Sequence, residues 1–399
     1  MPQDRPHPKA PRTWTPDELG ALDEGVAEED LDIRDTVRRA LADLARPRIA
    51  GWYLAGELPV RELARELGAL GLLGMHLQGY GCAGTSATAY GLVCAEVEAV
   101  DSGLRSLVSV QGSLAMWGIH AYGSEEHKQQ WLPAMARGEA IGCFGLTEPD
   151  HGSDPAGMRT RARRDGDDWV LEGTKMWITN GSVASVAVVW AQTEEGIRGF
   201  VVPTNTQGFS APEITGKLSL RASVTSELVL EGVRLPGTAV LPGAKGLSGP
   251  LGCLSEARFG IVFGSMGAAR DCLETAISYA GTRQQFGRPI AGFQLTQAKL
   301  ADMTADYVTG MLLALQLGRL KDAGRLAPQQ VSLGKLTNVR RALAIARECR
   351  SVLGANGISA DYSPLRHAAN LESVLTYEGT TEMHTLVVGQ ALTGEQAFR

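Results

Sequence analysis

The 399-residue chain has no cysteine pair at C-x-x-C spacing; Cys82, Cys94, Cys143, Cys253, Cys272 and Cys349 stand far apart. No apolar secretory stretch precedes them, so they are expected to be reduced, buried thiols rather than a disulfide framework. The seven histidines contain no H-x-x-x-H or H-E-x-x-H, and no metal is expected. A G-x-S-x-G nucleophile elbow and a G-x-x-x-x-G-K-[ST] phosphate loop are also missing. Basic charge is scarce: a formal net charge of −6 argues against bulk nucleic-acid binding, though not against local cationic pockets. No run of about 18 uncharged apolar residues occurs, so no membrane span is expected. The Pro- and Arg-rich start, Met1 to Trp14, lacks an apolar run and soon turns acidic at Asp17, Glu18, Asp23 and Glu24. That is unlike a signal or transit peptide, and a cytoplasmic protein is the expectation.

What is present divides the chain in three. A single core stops growing at about 250–300 residues, so packed subdomains are expected. Thr15-Pro16-Asp17-Glu18 reads as a capping box with proline at the first helical position. Apolar residues recur at helical spacing over Leu31–Leu44 and Pro59–Leu73. From about Ile141 to Pro242 the texture becomes short apolar runs broken by turn formers. Trp169-Val170-Leu171 breaks at Glu172-Gly173, followed by Val183–Trp190, Gly199–Val202 and Leu228–Leu230. After about Gly246 the helical period returns, with stripes at Leu300, Met303, Tyr307, Met311 and Leu315, then Leu336, Val339, Leu343 and Ala346. The expected division is a helical domain at 1–140, a β domain at 141–245 and a helical bundle at 246–399.

Gly79-Tyr80-Gly81-Cys82-Ala83-Gly84 satisfies G-x-G-x-x-G, with Asp101 about twenty residues further on. A dinucleotide fingerprint needs a strand before it, and here a charged helical segment precedes. The motif is therefore read as a turn, and NAD is not indicated.

Five segments carry possible chemistry. Cys143 to Asp154 (CFGLTEPDHGSD) offers small and hydroxylated residues to a flat polar ring, although a plain strand-to-loop turn would look the same. Met176-Trp177-Ile178-Thr179-Asn180 presents an indole beside a hydroxyl; it also fits a core tryptophan. Tyr279 to Pro289 places Arg283 and Arg288 where they could pair with a pyrophosphate or merely solvate a helix end. Leu353-Gly354-Ala355-Asn356-Gly357-Ile358 allows close backbone approach to a ligand. Thr376-Tyr377-Glu378-Gly379-Thr380 sets a carboxylate between an aromatic and a glycine, a pattern equally open to a surface turn. Their occurrence together, in this order, on a helix–strand–helix layout favours a site.

With those motifs in place the sequence resembles the acyl-CoA dehydrogenases, and among them the glutaryl-CoA dehydrogenases, over about Leu31 to Phe398. RSLVSVQGSLAMWGIHAYGSEEHKQQWLP (105–133), GCFGLTEPDHGSDP (142–155), GTKMWITN (173–180), GKLSLRAS (216–223), GCLSEARFGI (252–261) and TYEGT (376–380) carry the likeness. It implies an α+β fold: an N-terminal helical domain, a middle β-barrel-like domain and a C-terminal four-helix bundle. It implies FAD, with Phe144, Leu146, Thr147 and Ser153 on one flank of the ring and Trp177, Ile178 and Thr179 on the other. Arg283, Gln294, Ser351, Gly354 and Ala355 would hold the pyrophosphate and adenosine part, partly across a subunit interface, and Thr380 would also touch the flavin. A homotetramer and electron-transfer flavoprotein as electron acceptor follow from the same likeness.

The resemblance makes Glu378 the base that removes the substrate α-proton. Arg105, aided by Ser106 or Ser109 and by Glu98, would bind the distal carboxylate of a glutaryl group; the alternative is a purely internal pairing with Glu98 or Asp101. Ser153, Arg258, Tyr377 and Gly379 complete the expected substrate contacts. Leu104 departs from the tyrosine usual before that arginine, which changes the shape or polarity of the pocket. Glutaryl-CoA oxidised and decarboxylated to crotonyl-CoA is the reading. The alternatives are another dicarboxyl or branched acyl-CoA, a carrier-protein thioester, a non-decarboxylating dehydrogenase, an oxidase or monooxygenase of the same scaffold, or a non-catalytic thioester-binding protein.

Overall fold

The computed structural model describes residues 12–397, so the expectations for Met1–Pro11 lie outside the described residues. The capping box is made: Thr15 Oγ1 accepts from the Glu18 amide at 3.2 Å, and the Glu18 carboxylate accepts from the Thr15 amide at 2.8 Å. It starts α1 (Pro16–Gly20), followed by α2 (Glu28–Leu44), α3 (Ile49–Ala55), α4 (Val60–Ala69), α5 (Ala87–Val100) and α6 (Ser102–Ser109). A π-helical stretch, Val110–Met116, leads into α7 (Trp117–Tyr122) and α8 (Glu125–Ala136). The helix expected to reach Leu73 ends at Ala69. Gly71 there takes a φ of 73°, which lets the Leu72 amide bond back to the Leu67 carbonyl at 3.0 Å. Gly79, Tyr80 and Gly81 form a positive-φ turn, and among the described residues no strand precedes them: the first begins at Gly142.

The middle of the chain is a seven-stranded sheet. Its strands are β1 (Gly142–Gly145), β2 (Arg161–Asp165), β3 (Asp168–Thr179), β4 (Val186–Thr193), β5 (Gly196–Pro203), β6 (Phe209–Ser210) and β7 (Thr225–Pro236). They run in the order β1-β4-β2-β3-β7-β6, with β5 also on β4. Strand periodicity splits β4 between two cores. Val186, Val188 and Trp190 join the main core with the helices, while Ala187, Val189 and Ala191 join a second core inside the β domain. One expectation is corrected here. Glu172-Gly173 does not end a strand; the register shifts there, shifts again between Lys175 and Ile178, and β3 runs on to Thr179.

The C-terminal part holds α9 (Ser248–Thr282), a hairpin of β8 (Gln284–Gln285) and β9 (Arg288–Pro289), then α10 (Gln294–Asp322), α11 (Pro328–Val352), α12 (Ser363–Thr376) and α13 (Thr381–Thr393). Met303, Tyr307, Met311 and Leu315 are buried on α10, and Val339, Leu343 and Ala346 on α11, as their spacing requires. Against α5, helix α9 packs backbone to backbone. A methyl on Gly267 would sit 1.9 Å from the Ala95 carbonyl oxygen, and one on Gly264 2.1 Å from a carboxylate oxygen of Glu98. Among the described residues no helix is long and apolar enough to cross a membrane.

Candidate active site

The fully buried Arg105, on α6, is the centre of the site. Its Nε donates to Glu98 Oε2 at 2.7 Å, and its Nη2 donates to the Tyr377 hydroxyl. Its Nη1 is buried and has no protein partner. Glu98 Oε1 accepts from Ser102 Oγ at 2.8 Å, so the carboxylate is held from two sides. Asp101, the other conceivable partner, is spent elsewhere. It caps α6 through the Gly103 amide at 2.8 Å and accepts from Arg366 and Asn370. An unmade hydrogen bond on a buried guanidinium costs about 1–3 kcal/mol or more, so the orphaned Nη1 marks a place for an anion. Ser106 is buried beside this group, and Ser109 is buried with its hydroxyl also unpartnered.

Tyr377 leads into Glu378, the carboxylate singled out from sequence. Glu378 takes a φ of 54°, rare for a residue with a side chain, and Gly379 follows at 95°. Two cations hold this turn. Arg258 Nε donates to the Glu378 carbonyl at 2.7 Å, and Lys335 Nζ donates to the Gly379 carbonyl at 2.8 Å. A methyl at Gly379 would stand 2.8 Å from His384 Nε2, so only glycine fits. Glu378 Oε2 is buried without a partner. Burial raises the proton affinity of this carboxylate; Arg105, Lys335 and Arg258 oppose the rise, and Glu98 adds to it. Burial likewise pushes the Tyr377 phenol up against the pull of Arg105, so it stays protonated.

The β domain presents a different surface. Lys175 is fully buried, and its Nζ donates to the Leu146 carbonyl at 3.1 Å and to Glu148 at 2.8 Å. Glu148 also accepts the Arg159 and Thr160 amides at 2.6 and 2.9 Å, and the Met176 amide bonds the Thr147 carbonyl at 2.8 Å. The 146–160 loop is thereby tied to β3. At the second register shift Trp177 adopts a φ of 62° and leaves its indole 58% exposed. An apolar ring turned outward at a bulge beside the half-buried Thr147 and Thr179 suits stacking on a flat ligand.

One segment couples the two regions. Beyond Thr179, which pairs with Thr225, the loop before β7 reaches the helices. The Leu220 amide donates to Asn370 Oδ1 at 2.9 Å, and Ser219 shares a hydrogen bond with Ser373. Both partners lie on α12, whose end opens into Tyr377 and Glu378. Arg221 fastens the same loop to the Tyr53 and Leu54 carbonyls at 2.8 and 2.7 Å.

Among the residues singled out from sequence, Arg105, Glu98, Tyr377, Glu378 and Gly379 come together as one cluster. Arg258, expected to touch substrate, donates its Nε to the Glu378 carbonyl. Ile178 packs its side chain in the β-domain core, leaving only its backbone for a cofactor. Phe144 and Leu146 are buried at the base of the loop. Ser153 is exposed on the loop, as are Arg283 just before β8, Gln294 at the start of α10, Ser351 in the last turn of α11, and Gly354 and Ala355 after it. Thr380 caps α13 by accepting from the Met383 amide at 3.3 Å. Sequence reasoning missed Lys335, His384 and Arg221. For Lys335 the signal was available: a lysine on the stripe that also carries Val331, Val339 and Ala342 must be buried.

The models of the acyl-CoA dehydrogenase N-terminal, middle and C-terminal domains match residues 27–139, 143–233 and 244–393. The chain belongs to the acyl-CoA dehydrogenase family, and it is an FAD-dependent oxidoreductase. Within the family it is similar to a glutaryl-CoA dehydrogenase of Mycobacterium smegmatis, at 70% identity and a TM-score of 0.96 over 97% of this chain and 100% of that one. A second M. smegmatis glutaryl-CoA dehydrogenase structure, in complex with FADH2, is 64% identical with a TM-score of 0.96 and the same coverage. The human mitochondrial short-chain specific acyl-CoA dehydrogenase is 36% identical over 332 residues, 81% of this chain and 80% of its own length.

Proposed function

We propose that the protein oxidises and decarboxylates glutaryl-CoA to crotonyl-CoA. The observation that carries this reading is the free Nη1 of the buried Arg105, one guanidinium nitrogen unspent while Glu98 and Tyr377 fix the other two. A methyl-ended acyl group would leave that donor unpaired. A distal carboxylate would accept a charged hydrogen bond worth about 1.5–3 kcal/mol. The similarity to two glutaryl-CoA dehydrogenases supports the same choice.

Glu378 is the proposed base. Its carboxylate is desolvated and one oxygen lacks a partner, so it is a stronger proton acceptor than in water. It takes the α-proton of the thioester, and its backbone N–H is assigned to the enolate oxygen that develops. Thr147, Ser153, Trp177, Thr179 and Thr380 would hold FAD, which would supply the acceptor for the β-hydride. Loss of the distal carboxylate from glutaconyl-CoA as CO2 leaves a dienolate, which the proton held on Glu378 converts to crotonyl-CoA. Arg105 fixes the carboxylate until it leaves. Arg283, Gln294, Ser351, Gly354 and Ala355, all exposed on one chain, are assigned to the pyrophosphate and adenosine in a homotetramer. Electron-transfer flavoprotein is the proposed acceptor, and the cytoplasm the proposed location.

Anaerobic addition of glutaryl-CoA should bleach the flavin faster than butyryl-CoA does, with release of CO2. Bleaching without CO2 would leave a dehydrogenase that stops at glutaconyl-CoA. Equal bleaching by both thioesters would remove the role given to Arg105.

A further inference from the structure

We propose that Lys335 is a positioning residue for the base: its ammonium holds the Gly379 carbonyl and supplies a nearby cation that opposes protonation of Glu378. The inference rests on the reading of Glu378 as base and deepens it.

Lys335 lies on α11, is 2% exposed, and donates to Gly379 O at 2.8 Å. Its ammonium is also 5.9 Å from the centre of the Tyr377 ring, which Arg105 faces at 5.6 Å. A buried lysine that served packing alone would be better replaced by an apolar side chain, because desolvating an ammonium is expensive. Burial, helped by Arg258 and Arg105, pushes its own pKa down to about 7 against the upward pull of Glu378, so Lys335 is charged on the acid side of neutrality.

Groups from every neighbouring element take part in the local balance. Helix α5 contributes Glu98 and the Cys94 thiol, which burial raises to about 12 and so keeps neutral. Helix α6 contributes Arg105, and α9 contributes Arg258. On α13, His384 is driven down to about 3 by burial, with Lys335 and Arg258 adding to the fall, so it is uncharged at neutral pH. Tyr377 stays protonated. Below about pH 7 three cations therefore face two carboxylates. Glu378 is the one whose side chain no cation bonds directly: Arg258 and Lys335 reach its turn only through backbone carbonyls. The hydrogen bond and the charge of Lys335 are consequently separable functions.

The sign follows from the mechanism. A base works in its deprotonated form, so its pKa sets the acid limb of the rate profile. Removing a cation raises that pKa and moves the limb to higher pH. Lys335→Gln retains a donor for Gly379 but no charge; Lys335→Met removes both; Lys335→Arg keeps both. The test measures anaerobic flavin bleaching by glutaryl-CoA against pH, alongside the pH titration of the flavin spectrum in substrate-free holoenzyme, which needs no turnover. Lys335→Gln should move the acid limb and the spectral inflection up by about one pH unit, the low end of the effect of a close opposite charge. The rate on the limb then falls about tenfold, while the plateau and flavin content hold. Lys335→Met should shift equally and also lose plateau rate, and Lys335→Arg should restore both. A Lys335→Gln enzyme that is yellow but titrates like wild type overturns the proposal. Failure of Lys335→Gln to fold with flavin also overturns it, since Lys335 would then be a structural residue. Glu378→Gln separates the underlying reading: if it still bleaches, the base assignment fails whatever Lys335 does. If only butyryl-CoA bleaches wild type, the substrate assignment alone fails, and the profile is taken with butyryl-CoA.

Discussion

Replacing Arg105 by methionine tests the pocket most directly, and the structure says the single variant will mislead unless it is paired. Arg105→Met removes the free Nη1 and the bond to Tyr377, and it strips Glu98 of its guanidinium partner, leaving only Ser102. Breaking a buried ion pair by deleting one side costs about 3–5 kcal/mol, because the remaining charge has no compensation. The single variant should therefore melt markedly earlier and lose activity toward every thioester. Arg105→Met with Glu98→Gln removes both charges, and the amide can still accept from Ser102. It should regain most of the stability while remaining unable to recognise a carboxylate. The lost interaction of about 1.5–3 kcal/mol corresponds to roughly a 10- to 150-fold fall in the ratio of kcat/KM for glutaryl-CoA over butyryl-CoA. Stopped-flow bleaching of the flavin with each thioester, with melting curves in parallel, measures both quantities. A double variant that is stable and still prefers glutaryl-CoA by the wild-type ratio would refute the assignment of Nη1 to the substrate.

Other outcomes follow from single contacts. Glu378→Gln should retain flavin but lower the bleaching rate by about a hundred- to ten-thousand-fold, read in the same stopped-flow assay. Gly264→Ala should degrade discrimination against butyryl-CoA without touching substrate, because its methyl would meet Glu98 at 2.1 Å and displace the partner of Arg105; a kcat/KM ratio equal to wild type would contradict this. Glu96 is buried between Arg270, at 2.7 Å through both oxygens, and Arg38. Burial alone would raise its pKa, but the two guanidiniums win and hold it at about 2. Its contribution to stability is therefore complete above about pH 4.5 and is lost as pH falls through 2. The melting temperature of Glu96→Gln should lie well below wild type at pH 6, and the gap should narrow toward pH 2.

The layout of the chain was legible because its signals are periodic. Tyr307 and Met311 on α10, or Val339 and Leu343 on α11, repeat at helical spacing and are buried accordingly. Leu171 and Leu228 sit in apolar runs that become strands. The bulges of β3 were not legible, since Gly173 looks like a terminator and only the pairing partner, β7, shows the strand continuing. The π-helical turn after Ser109 escaped for the same reason. Its buried Gln111 bonds the Met135 and Ala140 carbonyls and the Gly142 amide, contacts set by distant chain segments. In the site, the motifs singled out the carboxylate at 378 and the guanidinium at 105, which the fold brings into one buried cluster. The left-handed turn that carries Glu378, and the ammonium and guanidinium that grip its carbonyls from α11 and α9, depend on helices brought together by folding.

The seam between α5 and α9 has a consequence for how this scaffold can change its chemistry. The hydrogen of Gly264 and the carboxylate of Glu98 occupy the same sliver of space that lets two central helices touch through their backbones. On the proposed reading of Arg105, recognition of the acyl end and interhelical distance are thus set by one dimension. A mutation that widened the gap to admit a bulkier acyl tail would loosen the middle of the fold, whereas a lineage that kept the gap could alter its choice only from the α6 side.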